Sequence, residues 1–319
     1  MGADMTVAQI TDWIEHPYST GRRRIFAIGD VHGMRRPMES VLETFRELAG
    51  EGGPEGADLV WLGDVIDRGP ESMACLQVYL ADDPAFEQVI RLCGNHEKMM
   101  LLGLGYSPKH RPGVFNFTEI YALDLWLDNG GKAAAQDLIE AAGLSIPEDD
   151  EDCETLRDRA AEALKVLRID LPGRFHDGEG SHYRAGDVIF THGGVNPLFD
   201  QERFLGQAWW QFPKRDENDH WAWVRAPFLR AVDPGGEGTL VVHGHTPEPS
   251  AIKNFCDLEI PVPEDFGDPD QIAAYLEAGG HGIRGGKLNL DGGAPSTGLV
   301  AGAQIEEGRY RIIWAGEEA

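Results

Sequence analysis

The chain has 319 residues, 42% hydrophobic and 26% charged, with 54 Asp and Glu against 28 Lys and Arg for a formal net charge of −26. That length supports one or two domains around a substantial core, and the acidic balance argues against nucleic acid, whose phosphates need a basic face. No apolar run approaches the ~20 residues of a membrane span, the run after Arg22-Arg23-Arg24 is too short for a signal-peptide core, and Cys75, Cys93, Cys153 and Cys256 show no paired spacing, so a soluble, cytoplasmic protein with free thiols is expected.

Residues 1–23 read as a polar leader with room for one helix, and a single domain is expected over 24–319. Ile25–Ile28 forms a strand pattern that runs into GDVHG (Gly29–Gly33). Met38, Val41, Leu42, Phe45 and Leu48 then recur at helical spacing, and the Gly- and Pro-rich stretch Gly50–Gly56 closes that helix. A second strand pattern, Leu59–Leu62, enters GDVIDRGP (Gly63–Pro70), where Pro70 can open a helix with Met73, Leu76 and Leu80 inward. The looser run Val89–Cys93 leads into GNHE (Gly94–Glu97), with a helix from near Lys98.

From about 104 to 180 the pattern changes. A basic loop, Tyr106–Gly113, carries Lys109, His110 and Arg111; Lys109 and Arg111 could recruit an anionic substrate, but surface solvation is the first expectation. Helices are predicted near Thr118–Asp128, Lys132–Ala142 and Glu154–Leu167, with the acidic run Glu148–Asp152 as a solvated loop between them. This segment has no ligand motif and reads as a helical insertion over the site. Strand patterns return at His182–Arg184, Val188–Thr191, Leu240–Val242, Leu288–Leu290, Leu299–Ile305 and Tyr310–Trp314, with one short helix (Asp270–Glu277) in the loop-rich stretch Val262–Gly286. Strand–helix alternation followed by strands without long helices predicts an α/β fold whose second sheet is mixed or antiparallel.

Two further motifs follow strand patterns: THGG (Thr191–Gly194) and HGHTP (His243–Pro247). Ligands placed after successive strands converge at one sheet edge. Carboxylate, carboxamide and imidazole are the donors that borderline divalent metals take. Asp30 and His32 lie two apart, so an extended strand end would point both at one cation. Asp64 offers a carboxylate able to bridge two metals, Asn95 a carboxamide oxygen, and His192 and His245 imidazoles. The alternation of His243 with His245 leaves either geometrically open. Each motif alone is a glycine-flanked turn; five in this order read as one dinuclear metal site.

Together these motifs resemble the phosphoprotein phosphatase family of the calcineurin-like metallophosphoesterases, in particular its bacterial and phage branch. The resemblance runs from about residue 24 to 247. It implies two mixed β-sheets packed as a sandwich flanked by helices, with the helical insertion near 104–180. It also implies two divalent metal ions, manganese being expected with iron or zinc as alternatives. Asp30, His32 and Asp64 would hold the first, and Asp64, Asn95, His192 and His245 the second, with His243 behind them. His96 matches the family's general acid and Asp67 its carboxylate partner. Arg68, Asn95 and Arg225 (in Trp223-Val224-Arg225) match its phosphate-binding groups, Arg225 standing beside a tryptophan group (Trp209, Trp210, Trp221, Trp223) that could equally be plain packing. The implied reaction is direct in-line attack of water on phosphorus in a phosphomonoester. A serine/threonine or dual-specificity protein phosphatase is the first expectation, and a dinucleoside polyphosphate hydrolase of the diadenosine tetraphosphate type the alternative. A phosphorylated protein or small-molecule phosphoester is thus the expected partner, with no nucleic acid and no membrane. Two positions depart from the eukaryotic branch: Cys93 stands where those members carry arginine, and Val65 where they carry tyrosine.

Overall fold

The computed structural model describes residues 8–53, 55–111, 114–147, 153–255, 263, 268, 271–272, 274–275 and 278–316. Strands β1 (Gln9–Ile10) and β2 (Ile14–Glu15) precede β3 (Arg24–Ile28), helix α1 (Arg35–Gly52), β4 (Ala57–Trp61), α2 (Ser72–Leu80), β5 (Gln88–Arg91) and α3 (Asn95–Gly103). The insertion supplies α4 (Phe117–Trp126), α5 (Lys132–Ala141) and α6 (Cys153–Val166). The chain continues through β6 (His182–Ala185), β7 (Val188–Thr191), the short helices α7 (Gln201–Leu205) and α8 (Ala226–Leu229), β8 (Leu240–His243), α9 (Glu248–Phe255), β9 (Lys287–Asn289), β10 (Leu299–Glu306) and β11 (Arg309–Gly316).

Both sheets are mixed. In the larger, β3, β4 and β5 run parallel, with Ile28 opposite Trp61 and Trp61 opposite Arg91, while β10 joins β3 antiparallel and β11 joins β10. In the smaller, β7, β8 and β9 are parallel and β6 runs antiparallel to β7. The strand period of two divides the side chains between layers. Ile25, Ala27, Val60 and Leu62 pack against Phe190, Leu240, Val242 and Leu288 between the sheets. Phe26, Ile28, Leu59 and Trp61 face the other way, toward Met38, Leu42 and Phe45 of α1. Each such fully buried large apolar side chain contributes roughly 1.5–3 kcal/mol.

Residues 8–23 differ from the expected leader helix. β1 and β2 pair with β11, whose outer edge would otherwise leave backbone groups unbonded, and Trp13 lies under the guanidinium groups of Arg309 and Arg311. The three insertion helices fall within one or two residues of their expected places. α4 begins on a capping box, where the Asn116 side chain accepts the Glu119 N–H at 3.1 Å and Glu119 accepts the Asn116 N–H at 2.9 Å. Asp137 of α5 accepts the backbone N–H of Met73 at 2.6 Å, which ties the insertion to α2. Every residue of α3 is buried. The acidic run 148–152, Cys256 and half of the expected helix at 270–277 lie outside the described residues; Cys75, Cys93 and Cys153 are free thiols.

Candidate metal centre

The motifs follow the ends of β3, β4, β5, β7 and β8, and the turns they make are steep. His32, Asp64, Asp67, Arg68 and His245 all have φ between 48° and 74°, a left-handed conformation that costs a residue with a side chain about 1–3 kcal/mol. Such strain persists only where packing over-determines it. Small neighbours make room: a side chain at Gly94 would strike Asp64, and one at Gly244 would strike Asp30. The extended strand end expected for Asp30 and His32 is not what forms. β3 stops at Ile28, and His32 occupies a left-handed turn whose ring is set instead by Nδ1, 2.9 Å from the Ile66 carbonyl.

These turns bring the expected donors together. The ligating atoms of Asp64, His192 and His245 lie within 4.8 Å of one another, as do those of His32, Asp64 and His96, so Asp64 is shared by both groups. His192 Nε2 is 3.3 Å from Asp64 Oδ2 and 3.0 Å from Asn95 Oδ1, which is also 2.8 Å from His245 Nδ1. The other nitrogen of His192 faces the Leu62 carbonyl at 2.9 Å, fixing which atom points inward. Asp30 stands in neither group; its Oδ2 accepts the His245 N–H at 3.0 Å. His243 lies behind, edge-on to Phe228 with Nδ1 near the Gly244 carbonyl.

Electrostatics favour a cation here. Burial raises the Asp30 carboxyl well above its usual range, with the charges of Asp291 and Asp64 adding to it. Burial likewise lifts Asp291 to about 6 and Glu97 to about 7, with Asp64 contributing to each. Asp64, despite the same burial, is held well below the carboxylate range, chiefly by His192, which it raises in turn. His32 and His245 are kept neutral chiefly by burial, the form in which imidazole binds metal. Asp30 Oδ1 and His245 Nε2 are buried without a hydrogen-bond partner. Crowded carboxylates, neutral imidazoles and orphaned donor atoms fit divalent metal ions.

Beside the donors, His96 Nδ1 lies 2.7 Å from Asp67 Oδ2, and its Nε2 is 4.0 Å from Asp64 Oδ2. Burial pushes His96 down to about 4 and Asp67 well up. Acid–imidazole and carboxylate–imidazolium forms of the pair differ only in where the shared proton sits; both leave one on Nε2. Arg68 and Arg225 line a cleft of about 370 Å³ together with Asn95, Tyr121, Leu125 and Trp223. Arg225 pairs with Glu217 at 2.6 Å. Trp209, Trp221 and Trp223 do pack together in the core, with Lys98 Nζ 4.5 Å above the Trp223 ring, and Arg225 lines the cleft at their border.

Three residues escaped the sequence reading. Glu97 accepts the N–H groups of Asp64, Val65 and Gly94 at 2.8–3.0 Å, pinning the Asp64 turn; the reach from Glu97 back to Gly94 is a capping-box spacing visible in GNHE. Asp291 presses a carboxyl toward Asp30 from just past β9, in Leu290-Asp291-Gly292-Gly293, a strand-end pattern like the others. Trp126 donates to Asp67 from the insertion, and nothing in its local sequence signals that.

A cluster of candidate metal donors at the strand ends of two mixed sheets accords with the family that the sequence matches, whose members act on phosphoric esters. Residues 23–281 match the model of the calcineurin-like phosphoesterases, and the chain belongs to that family. A serine/threonine-protein phosphatase 1 from Salmonella typhimurium is 31% identical over 128 residues, covering 39% of this chain and 48% of that protein; the chain thus matches about half the length of this curated relative. Among solved structures, a protein serine/threonine phosphatase from Saccharomyces cerevisiae is 15% identical, with TM-score 0.42 and 94% and 81% of the two chains covered. A cold-active protein-tyrosine phosphatase from a psychrophilic Shewanella is 14% identical, with TM-score 0.41 and 93% and 80% covered. No helix among the described residues is long and apolar enough to cross a membrane.

Proposed function

We propose that the protein is a phosphomonoesterase acting on phosphoserine and phosphothreonine in proteins, in the cytoplasm. The observation that carries this reading is Asp64, common to two buried donor groups, with Asn95 and two arginines lining the cleft beside them. Asp30, His32 and Asp64 would hold one divalent ion, and Asp64, Asn95, His192 and His245 the other. Bound there, two such ions, manganese being the expected pair, supply an activated water and neutralise phosphoryl charge.

The chain's own residues do the rest. Arg68 and Arg225 offer planar guanidinium forks that bind two phosphoryl oxygens at once, a geometry lysine lacks. Asn95 can donate its amide N–H to a third oxygen while its Oδ1 faces the histidines. His96 holds a proton at Nε2 for the departing oxygen, and Asp67 returns a proton to Nδ1 or stabilises the cation. The partial match to the Salmonella phosphatase supports a protein substrate.

The purified protein with manganese should hydrolyse an aryl phosphate and a phosphoserine peptide. His96→Asn should lose about 10²–10⁴-fold in kcat while keeping its metal; full activity in that variant would overturn the acid. A kcat/KM on a dinucleoside polyphosphate exceeding that on phosphopeptides would replace the protein substrate with the small-molecule one.

A further inference from the structure

A second hollow, of about 390 Å³, opens beyond the catalytic cleft and shares Phe212 and Pro213 with it. Lys109 and Lys214 lie on its walls, from the insertion loop and from the segment that carries the cleft rim. Arg215 stands next along the chain, on the cleft side. A chain with 28 basic residues against 54 acidic ones has little reason to gather cations, and the side chains of these three carry no carboxylate partner among the described residues, the Arg215 backbone N–H alone donating to Asp219. Lys109 Nζ instead rests 4.4 Å above the Trp210 ring, which orients the ammonium without neutralising it.

The acids nearby are engaged. Glu119, on the same wall, is buried and bonded to the Asn116 N–H and His110. On the cleft side, Glu217 is paired with Arg225 and Asp216 accepts the Asn218 N–H. The hollow therefore sets two exposed lysines against one buried, hydrogen-bonded carboxylate over an aromatic floor, and it is continuous with the cleft that Arg68 and Arg225 line.

We propose that this hollow is a subsite for a second anionic group on the substrate, the carboxylates of acidic residues that flank the phosphorylated residue of an extended peptide. The inference rests on the phosphatase reading above. The strongly negative remainder of the surface repels a long polyanion, so a short acidic stretch beside the phosphate is what the charge distribution accepts. Trp210 and Phe212 give the peptide apolar contact between its two charged anchors.

The test compares two phosphoserine peptides, one flanked by Asp and Glu and one by Gln, with an aryl phosphate as reference. Two exposed ion pairs predict a kcat/KM ratio of about fivefold in favour of the acidic peptide, carried in KM and shrinking as salt is raised. In a Lys109→Gln/Lys214→Gln variant that ratio should fall to near one. A wild-type ratio near one, or a ratio that survives in the double variant, overturns the subsite. So does turnover of the aryl phosphate without turnover of either peptide. Absence of aryl phosphate turnover with manganese bound would instead strike the phosphatase reading itself, and the subsite with it.

Discussion

Trp126 donates its indole N–H to Asp67 Oδ1 at 2.9 Å, while the other oxygen of Asp67 meets His96. The indole reaches that far because Gly131 has no side chain to strike it. A helix of the insertion thus orients the carboxylate that orients the proposed acid. Trp126→Phe keeps the ring and removes the donor, so the loss should fall on esters with poor leaving groups. We expect about tenfold lower kcat on an alkyl phosphate and a smaller loss on p-nitrophenyl phosphate. Equal losses on both would mark Trp126 as packing alone.

Asp64 is the one residue common to both donor groups. Asp64→Asn removes the charge while keeping the shape. Bound metal, measured by elemental analysis after desalting, should fall below half the wild-type content, and turnover with it. Full retention of both ions would remove Asp64 from its proposed bridging place.

Arg225 is held by Glu217 at 2.6 Å in an exposed pair. Phosphate must compete with that carboxylate for the guanidinium. Glu217→Gln should therefore tighten competitive inhibition by inorganic phosphate by up to about fivefold, the range of exposed ion pairs. Unchanged or weaker inhibition would separate Arg225 from phosphate.

Protons and metal ions compete for the same carboxyls. In the metal-free fold Asp291 is held up to about 6 by burial and the charge of Asp64, and Asp30 is raised well above its usual range. The protonated form is present below those values and lost as pH rises through them, so metal binding has a proton to displace only on the acid side. Of the ligand histidines, His192 adds to this competition, since Asp64 raises it above its ordinary value despite burial, whereas burial keeps His32 and His245 well below theirs. Manganese affinity should accordingly fall about tenfold from pH 7.5 to 5.5, read by titration calorimetry. Asp291→Asn, by removing a repelling charge, should move the midpoint to lower pH. A pH-independent affinity would contradict this account.

Much of this was legible beforehand. The strand patterns at Ile25–Ile28, Leu59–Leu62 and Leu240–Val242 lie where strands form, because each apolar run had to be buried on both faces. The three insertion helices were visible from their periodicity. The edge strands before Tyr18 were not, since a two-residue pairing leaves no period and depends on a partner near the far end of the chain. The left-handed turn at His32 was also hidden: the local sequence permits an extended end, and the hydrogen bonds of His32 to the Asp64 and Ile66 carbonyls, from a distant turn, hold the other conformation.

The sequence by itself determined the donor chemistry. Which residues carry carboxylate, carboxamide, imidazole and guanidinium, and that they follow strands, is a property of residue type and local pattern. The family resemblance already pointed to a shared Asp64 and to His245 ahead of His243; only the tertiary structure decided how closely the donor atoms approach, that His243 packs on Phe228, and that Asp291 and Trp126 act on Asp30 and Asp67. Those relations join residues distant along the chain, and their distances are set by how two sheets and an insertion pack, which no local window of sequence contains.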